Sequence, residues 1–352
     1  MNKLFTLITI LAFSFQAPGQ TQYKDFVVSD MQIIGLTEKG KLVFFDKENG
    51  KKTCIIDAPS EAVVLTKNRL GEIVVVDERN GVNKYAEKKK TWEQIANTNT
   101  NVFGILFDSE NSCYIITEDG IENTKSKKHY FSNKSLNHQI QYKDKWEKPY
   151  TYFIDKNDRI WIGFGYGEWG GDIFIFDTKK GEFLTPNLGE FLISLWPIKS
   201  FFETNDNIFV SSGLAHMITS GIIVKFDDIN AAVFYVSESD WSEPQGEDRI
   251  RHMIEGEYIG PATFNEYNNS IYYYSQEGIK KGNLDNDLSK KENWEIVIKP
   301  KLQWKYGQPD AVGSPMNVLK LQTLDENELI FLSQNDGIGL FNGKELIMLN
   351  DK

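Results

Sequence analysis

Short apolar runs recur along the chain, each about five residues long and each followed by a polar loop that ends in glycine. Gln32–Leu36 leads to Gly40, Ile73–Val76 to Gly81, Tyr114–Thr117 to Gly120 and Ile160–Phe164 to Gly171. Ile208–Ser212 leads to Gly221, Ile271–Ser275 to Gly278 and Leu329–Ser333 to Gly337. Successive glycines stand 41, 39, 51, 50, 57 and 59 residues apart. Repeated all-strand units of this length predict an all-β fold, a seven-bladed β-propeller of four-stranded antiparallel blades. A β-sandwich or a β-helix fits less well, because the units are similar in length and no short Gly-Asp-rich repeat is present.

The fourth unit shows the four strands best: Tyr150–Ile154, Arg159–Phe164, Asp172–Phe176 and Glu182–Leu184, named A to D from the central channel outward. Turns rich in Asn, Asp and Gly separate A from B at Asp108–Asn111, Asp155–Asp158, Asn205–Asn207, Asn268–Ser270 and Asp325–Glu328. These residues tolerate the positive φ of a tight hairpin. The B runs, such as Ile-Val-Val-Val and Ile-Tyr-Tyr-Tyr, are continuous rather than alternating, as expected for sheets covered on both faces. No segment after the amino terminus carries a helical 3.6-residue period. On this pattern Tyr23–Val28 forms the innermost strand of blade one and Glu345–Leu349 the outermost strand of blade seven.

The amino terminus is different. Met1-Asn2-Lys3 is a short basic stretch, and Leu4 to Phe15 is an apolar run too short to span a bilayer comfortably. Ala17-Pro18-Gly19 then supplies small residues for cleavage near Gly19 or Gln20. Residues 1–20 therefore read as a signal peptide and 21–352 as a single propeller domain, exported to the periplasm or secreted. An uncleaved anchor or a first strand is the competing reading. The rest of the chain has no apolar stretch long enough for a transmembrane segment.

Composition narrows the partners. The 352 residues hold 39 Lys and Arg against 50 Asp and Glu, a formal charge of −11, which disfavours nucleic acid and anionic lipid as ligands. The 23 Phe, 15 Tyr and 8 Trp favour strands and leave ample apolar mass for a core. Only two cysteines occur, and the repeats place Cys54 and Cys113 in different, non-adjacent sheets. Two buried free thiols are expected, in the outer strand of blade one and strand B of blade three.

Phe153-Ile154-Asp155-Lys156-Asn157-Asp158-Arg159-Ile160-Trp161-Ile162-Gly163 resembles the repeat of the two-component regulator propellers, in which an Asp-rich turn precedes an Ile-Trp-Ile-Gly strand. The outline fades through the other blades: Cys113-Tyr114-Ile115 and Ile208-Phe209-Val210 stand where blade four has Ile160-Trp161-Ile162. The resemblance implies a seven-bladed sensor-type propeller. Members of that family usually carry a transmembrane segment and a kinase, and this chain is expected to stand alone, without them. A weaker similarity, to the streptogramin-lyase type of propeller, rests on the Ile-Trp strand.

In such blades the B–C loops and the D–A connections share one face, and the long, aromatic-rich insertions fall there. Long loops in a compact fold tend to be functional. The B–C loop of blade four, Gly165 to Asp172, contains four glycines among Tyr166, Glu168, Trp169 and Asp172. Trp169 suits stacking on a sugar and the carboxylates suit its hydroxyls. A wide hairpin whose Trp caps a neighbouring blade explains the loop equally well. The B–C loop of blade five contains His216 and Met217. The D–A connection before blade six carries Trp241, His252 and several charges, and the next carries Trp304, Lys305, Tyr306 and Asp310. The ligand-binding set is therefore Tyr166, Glu168, Trp169, Asp172, His216, Trp241, His252, Trp304 and Tyr306.

No catalytic residue, metal or cofactor is assigned from the sequence. There is no Gly-x-Ser-x-Gly, the histidines lack ligand spacing, and Asp155-Lys156-Asn157-Asp158 lacks the Gly and distal Glu of a calcium loop. The expected function is a monomeric binding module that recognises a glycan or a protein loop on the B–C/D–A face. The alternative is a lyase or hydrolase at the funnel mouth using Glu168, His216 and His252, since propellers host both classes.

Overall fold

The computed structural model describes residues 21–29, 31–216, 218–237, 239–245, 248–254, 256–303 and 317–349, with the side chains of residues 216, 218, 239–245 and 248–254 left aside. The leader expected over residues 1–20 lies outside the described residues. Among those residues stand seven antiparallel sheets of four strands each, plus one two-stranded hairpin. Blade one is Tyr23–Val28, Gln32–Thr37, Lys41–Asp46 and Lys52–Asp57, and blade two is Ala62–Lys67, Ile73–Asp77, Gly81–Ala86 and Thr91–Asn97. Blade three is Val102–Phe107, Cys113–Thr117, Gly120–Asn123 and Lys128–Tyr130, and blade four is Thr151–Ile154, Arg159–Gly165, Gly171–Asp177 and Glu182–Leu184. Blade five is Ile198–Glu203, Ile208–His216, Ile218–Asp227 and Asn230–Val236. The extra hairpin, Ser239–Gln245 with Asp248–Ile254, precedes blade six at Ala262–Asn265, Ser270–Ser275, Gly278–Asn283 and Glu295–Ile298. Blade seven is Val318–Asp325, Glu328–Ser333, Gly337–Phe341 and Leu346–Leu349. The first strands of successive blades touch each other, and that of blade one also touches blade seven, so the ring closes. The protein is a seven-bladed β-propeller.

The B strands explain the continuous apolar runs. Each is buried on both faces, and neighbouring residues serve opposite interfaces. Val75 packs with blade one, whereas Val74 and Val76 pack with blade three. Ile271 and Tyr273 face blade five, whereas Tyr272 and Tyr274 face blade seven. The strand period of two is present, but both phases are apolar. The core is accordingly seven layers, one between each pair of adjacent blades.

The recurring glycine has a steric cause. Gly120 and Gly278 open strand C at φ of 105° and 141°, and a Cβ there would lie 2.2 Å from the Tyr130 carbonyl oxygen and 2.4 Å from that of Ile298. Strand D thus passes too close for any side chain. The A–B turns use the Asx geometry read from their composition. Asn111, Asp158 and Asn269 take positive φ immediately or shortly before strand B. Asp108 and Asp155 accept backbone N–H groups two and four residues on. In blade four Asp155 does more. Its second oxygen accepts from Arg159 Nε at 2.7 Å and Trp161 Nε1 at 3.0 Å, so the Asp-rich turn and the Trp of the repeat form one buried hydrogen-bonded unit.

Among the described residues no strand is shared between the ends of the ring. Blade one meets blade seven through Tyr23, Phe26, Ile33, Val43 and Phe45 against Ile330, Leu332, Ile338, Leu340 and Leu349. Lys320 Nζ reaches across to Asp25 Oδ1 and to the Phe26 carbonyl, each at 2.7 Å. Both cysteines are free and lie in the expected strands, but only Cys113 is buried. Cys54 is exposed because the outer strand Lys52–Asp57 has no blade beyond it.

Two outcomes follow from this packing. A Cβ at Gly35 would lie 2.7 Å from the Tyr23 ring and 2.9 Å from Ile338 Cδ1. Gly35→Val should therefore loosen the closure and cost about 1–3 kcal/mol in denaturant unfolding. Unchanged stability would mean that the blade-one and blade-seven contact carries no load. A thiol reagent should modify Cys54 in the folded protein and Cys113 only on unfolding, because burial pushes the Cys113 thiol up to about 12. Rapid labelling of both would contradict the blade-three packing.

Candidate functional site

The two faces of the ring differ. The A–B turns are short throughout the described residues. On the other face, blades one, two, three, six and seven have tight B–C turns, four of them closed by a hydroxyl at the end of strand B. Thr37, Thr117, Ser275 and Ser333 each accept a backbone N–H of the following turn. Blades four and five depart from this, with the loop at 166–170 and a hairpin whose pairing runs out to His216 and Ile218.

In blade four, residues 167–169 form a single 3-10 turn between strands B and C. Gly170 follows with φ 75°, and a Cβ there would lie 2.3 Å from the Ser194 carbonyl carbon. The blade-four loop is thereby seated against a second 3-10 turn, Ile193–Leu195, in the connection to blade five. Three large apolar side chains stand out on these abutting turns. Trp169 is 57% exposed, Leu192 60% and Leu195 52%. Exposed large apolar side chains gathered on abutting turns are a feature of interaction sites. Glu168 lies beside Trp169 and is exposed.

Tyr166 and Asp172 point the other way. The Tyr166 ring is half-buried and stacks on Phe164 with centroids 6.2 Å apart. Asp172 is the second residue of strand C and is fully buried. It accepts from Ser135 Oγ, from Leu136 N at 3.0 Å and from Ile173 N at 2.9 Å. Asn137, also fully buried, donates through Nδ2 to the carbonyls of Trp169 and Gly171 at 2.8 and 3.0 Å. The connection from blade three to blade four is thus pinned under the loop by Ser135, Leu136, Asn137 and Asp172. The same connection inserts Tyr142 and Trp146 into the layer between those blades, where the D strand of blade three is only three residues long.

The other expected site residues are placed more coarsely. His216 ends strand B of blade five, and that strand borders the 167–169 turn. Trp241 and His252 are backbone register partners in the two-stranded hairpin. The side chains of His216, Trp241 and His252, and all of Trp304 and Tyr306, lie outside the described residues. The approach of Glu168, His216 and His252 required for an enzyme therefore falls there too. Among the described residues no group of three His, Cys, Asp or Glu forms a metal-binding cluster, and no helix is long and apolar enough to cross a membrane.

Three features escaped the sequence reading. The run Phe191-Leu192-Ile193-Ser194-Leu195-Trp196 is apolar yet falls in a connection, which was a signal for surface apolar groups. Ser135 and Asn137 carried no pattern of their own. Lys199 is the one charge in Ile198–Phe202, within an innermost strand, and it is buried.

No family model matches the chain, and no curated protein matches it. Solved structures do. U3-55K aligns over 90% of this chain and 89% of its own, with a TM-score of 0.56 at 10% identity. The extracellular domain of a hybrid two-component system from B. thetaiotaomicron aligns over 92% of this chain and 39% of that one, with a TM-score of 0.56 at 15% identity. The hydrazine synthase of Kuenenia stuttgartiensis aligns over 95% and 98%, with a TM-score of 0.59 at 9% identity. At these identities the likeness is one of fold.

Burial raises the Asp172 carboxyl to about 6, against the pull of the hydrogen bonds it accepts. The folded protein then holds a proton that the unfolded chain releases near pH 4. The stability it contributes in acid is lost as pH rises through about 6, a change of about 3 kcal/mol. Asp172→Asn should flatten that fall relative to the wild type in unfolding measured from pH 4 to 8. Identical pH profiles would show that Asp172 titrates as an ordinary carboxylate.

Proposed function

We propose that the protein is an exported propeller that acts as a binding module and takes its partner on the B–C/D–A face. The contact is centred on Trp169, with Glu168, Leu192 and Leu195 beside it. His216, Trp241, His252, Trp304 and Tyr306 border the same face in this reading, while Tyr166 and Asp172 support the loop from beneath. The observation that carries it is the exposure of three large apolar side chains on two turns fixed against each other. A rigid aromatic anchor on a pre-formed loop loses little entropy on binding. Of the two ligand classes considered, a protein loop is favoured over a glycan, because the turn abutting that of Trp169 exposes two aliphatic leucines, which offer a sugar no hydrogen bonds. The leader-like residues 1–20 support export.

The test combines a glycan array with a displayed peptide library, both probed with the protein from residue 21 onward. Trp169→Ala should lower affinity for the selected ligand at least tenfold while leaving thermal unfolding nearly unchanged, since hot-spot aromatics typically contribute about 2 kcal/mol or more. A drop of several kcal/mol in stability instead would make Trp169 a packing residue and displace the site. Hits confined to the glycan array would reverse the choice of ligand class. Intact residues 1–20 on the protein recovered from outside the cytoplasm would remove the signal-peptide reading.

A further inference from the structure

The outermost strand of a propeller blade pairs on one side only, so its outer backbone groups form an exposed sheet edge. Most of the outer strands here carry a charge, which discourages pairing with another chain. These are Lys52 and Asp57 in blade one, Glu93 in blade two, Lys128 in blade three, Glu182 in blade four and Glu295 in blade six. The outer strand of blade seven, Leu346–Leu349, is four residues long and lies against Gly50 of blade one. Strand D of blade five is different. Asn230–Val236 has seven residues without a charge, a proline or a glycine, and the uncharged run extends from Ile229 to Ser237. Ala232, Val233 and Val236 are exposed on it.

The chain itself begins to cover this edge and then leaves it. Asn187, in the connection from blade four, forms a parallel bridge with Asn230. Its amide donates to the Ile229 carbonyl at 3.0 Å, and its carbonyl accepts from the Ala231 amide at 2.8 Å. Gly189 then takes a φ of 53°, with its Cβ position 3.3 Å from the Ala231 carbonyl oxygen, and the connection runs on to Leu192 and Leu195. Successive residues of a strand direct their backbone groups to opposite edges. Residues 230–233 pair with strand C in unbroken register, so Val233, like Ala231, presents its N–H and carbonyl outward. A bulge at Phe234 ends that regular stretch. Blades one, two and six also have a bulge between strands C and D, so the missing charge is what sets blade five apart. We propose that this edge takes an extended segment of a partner protein, which continues the parallel ladder begun by Asn187 and adds a short fifth strand to blade five. The occupant is identified by what already pairs there, an extended backbone running parallel to strand D. Main-chain bonds to Val233 hold the segment, and apolar side chains at alternate positions extend the faces of the blade. The site lies along the connection that carries Leu192 and Leu195, and it does not depend on Trp169.

The probe is a displayed library of random peptides, selected on the wild-type protein and counter-selected on its Val233→Pro variant. Proline at that position removes one outward N–H and no bond of the blade. The peptides recovered should be apolar at alternate positions. Val233→Pro should weaken their binding at least tenfold, with a Tm within about 3 °C of the wild type. Backbone N-methylation of a selected peptide should abolish binding at every second position and be tolerated at the positions between, as a strand ladder requires. Trp169→Ala should leave these affinities unchanged, so failure of this edge and failure of the Trp169 surface are read separately. If the proline variant fails to fold, Val233→Lys, which supplies an edge charge, takes its place in selection and binding. The proposal is overturned by an empty selection, by equal affinity for variant and wild type, or by N-methyl effects without a period of two. A wild-type dimer in sedimentation that the Val233 variant dissolves would also overturn it, assigning the edge to a second copy of the chain.

Discussion

Among the described residues the ring closes through side-chain contacts rather than a shared strand, and the rest of the structure depends on that contact. A propeller whose last blade borrows a strand from the other end of the chain is latched by backbone hydrogen bonds. Here each blade is a continuous stretch of sequence, and blade one meets blade seven through Tyr23, Phe26, Ile33 and their partners on blade seven. That layer must match the other six in thickness, or the remaining sheets would not complete the circle. The match explains why Gly35 leaves room for the Tyr23 ring, and why Lys320 is tied to Asp25 and the Phe26 carbonyl. Interiors packed to crystal-like density tolerate little variation in such a layer.

The A–B face adds a second restraint. Side chains and backbone of neighbouring turns are bonded across four blade boundaries. The Arg69 amide donates to Asn111 Oδ1 at 3.0 Å, and Ser109 donates to Asp158 through both its amide and hydroxyl at 2.7 Å. The Lys156 amide donates to Glu203 at 3.0 Å, and Asn265 Nδ2 to the Asp325 carbonyl at 2.7 Å. Short turns of fixed geometry make these bonds possible. With one face tied in this way, the opposite face is free to carry loops of different lengths. Variation is concentrated at blades four to six, where the long connections and the extra hairpin lie.

The candidate surface gains its rigidity from elements that are not themselves regular. The turn bearing Trp169 is held by Asn137 from the preceding connection and by the close approach of Gly170 to Ser194. Buried Asp172 accepts the amide of Leu136 and fixes that connection in turn. The same end of the ring gathers Lys199 with the rings of Tyr150 and Tyr258 where the innermost strands begin. An exposed apolar surface and a buried polar cluster therefore share one face, for different reasons. The first arises from loop insertion, and the second from the convergence of blades on the channel axis.

The sequence by itself determined the fold and the phase of the repeat. Apolar runs that stay apolar in both strand phases occur where a sheet is covered twice. Gly120 and Gly278 open strand C where a neighbouring carbonyl leaves no room for Cβ. Both are local consequences of blade geometry, so Tyr23–Val28, Cys113 and the Asp155 turn were placed correctly without coordinates. Burial at the margins was not readable. Cys54 sits in a strand, but in the one strand of its blade with no neighbour beyond it. Tyr166 and Asp172 share a glycine-rich loop with Trp169, yet they turn inward, because the partners that receive them are Phe164 on one side and Ser135 and Leu136, more than thirty residues away, on the other. Lys199 drew no notice as the one charge in Ile198–Phe202, since the tyrosines around it come from two other blades. Spacing along the chain reports what a residue does within its own blade. Which groups meet between blades is fixed only when the ring closes.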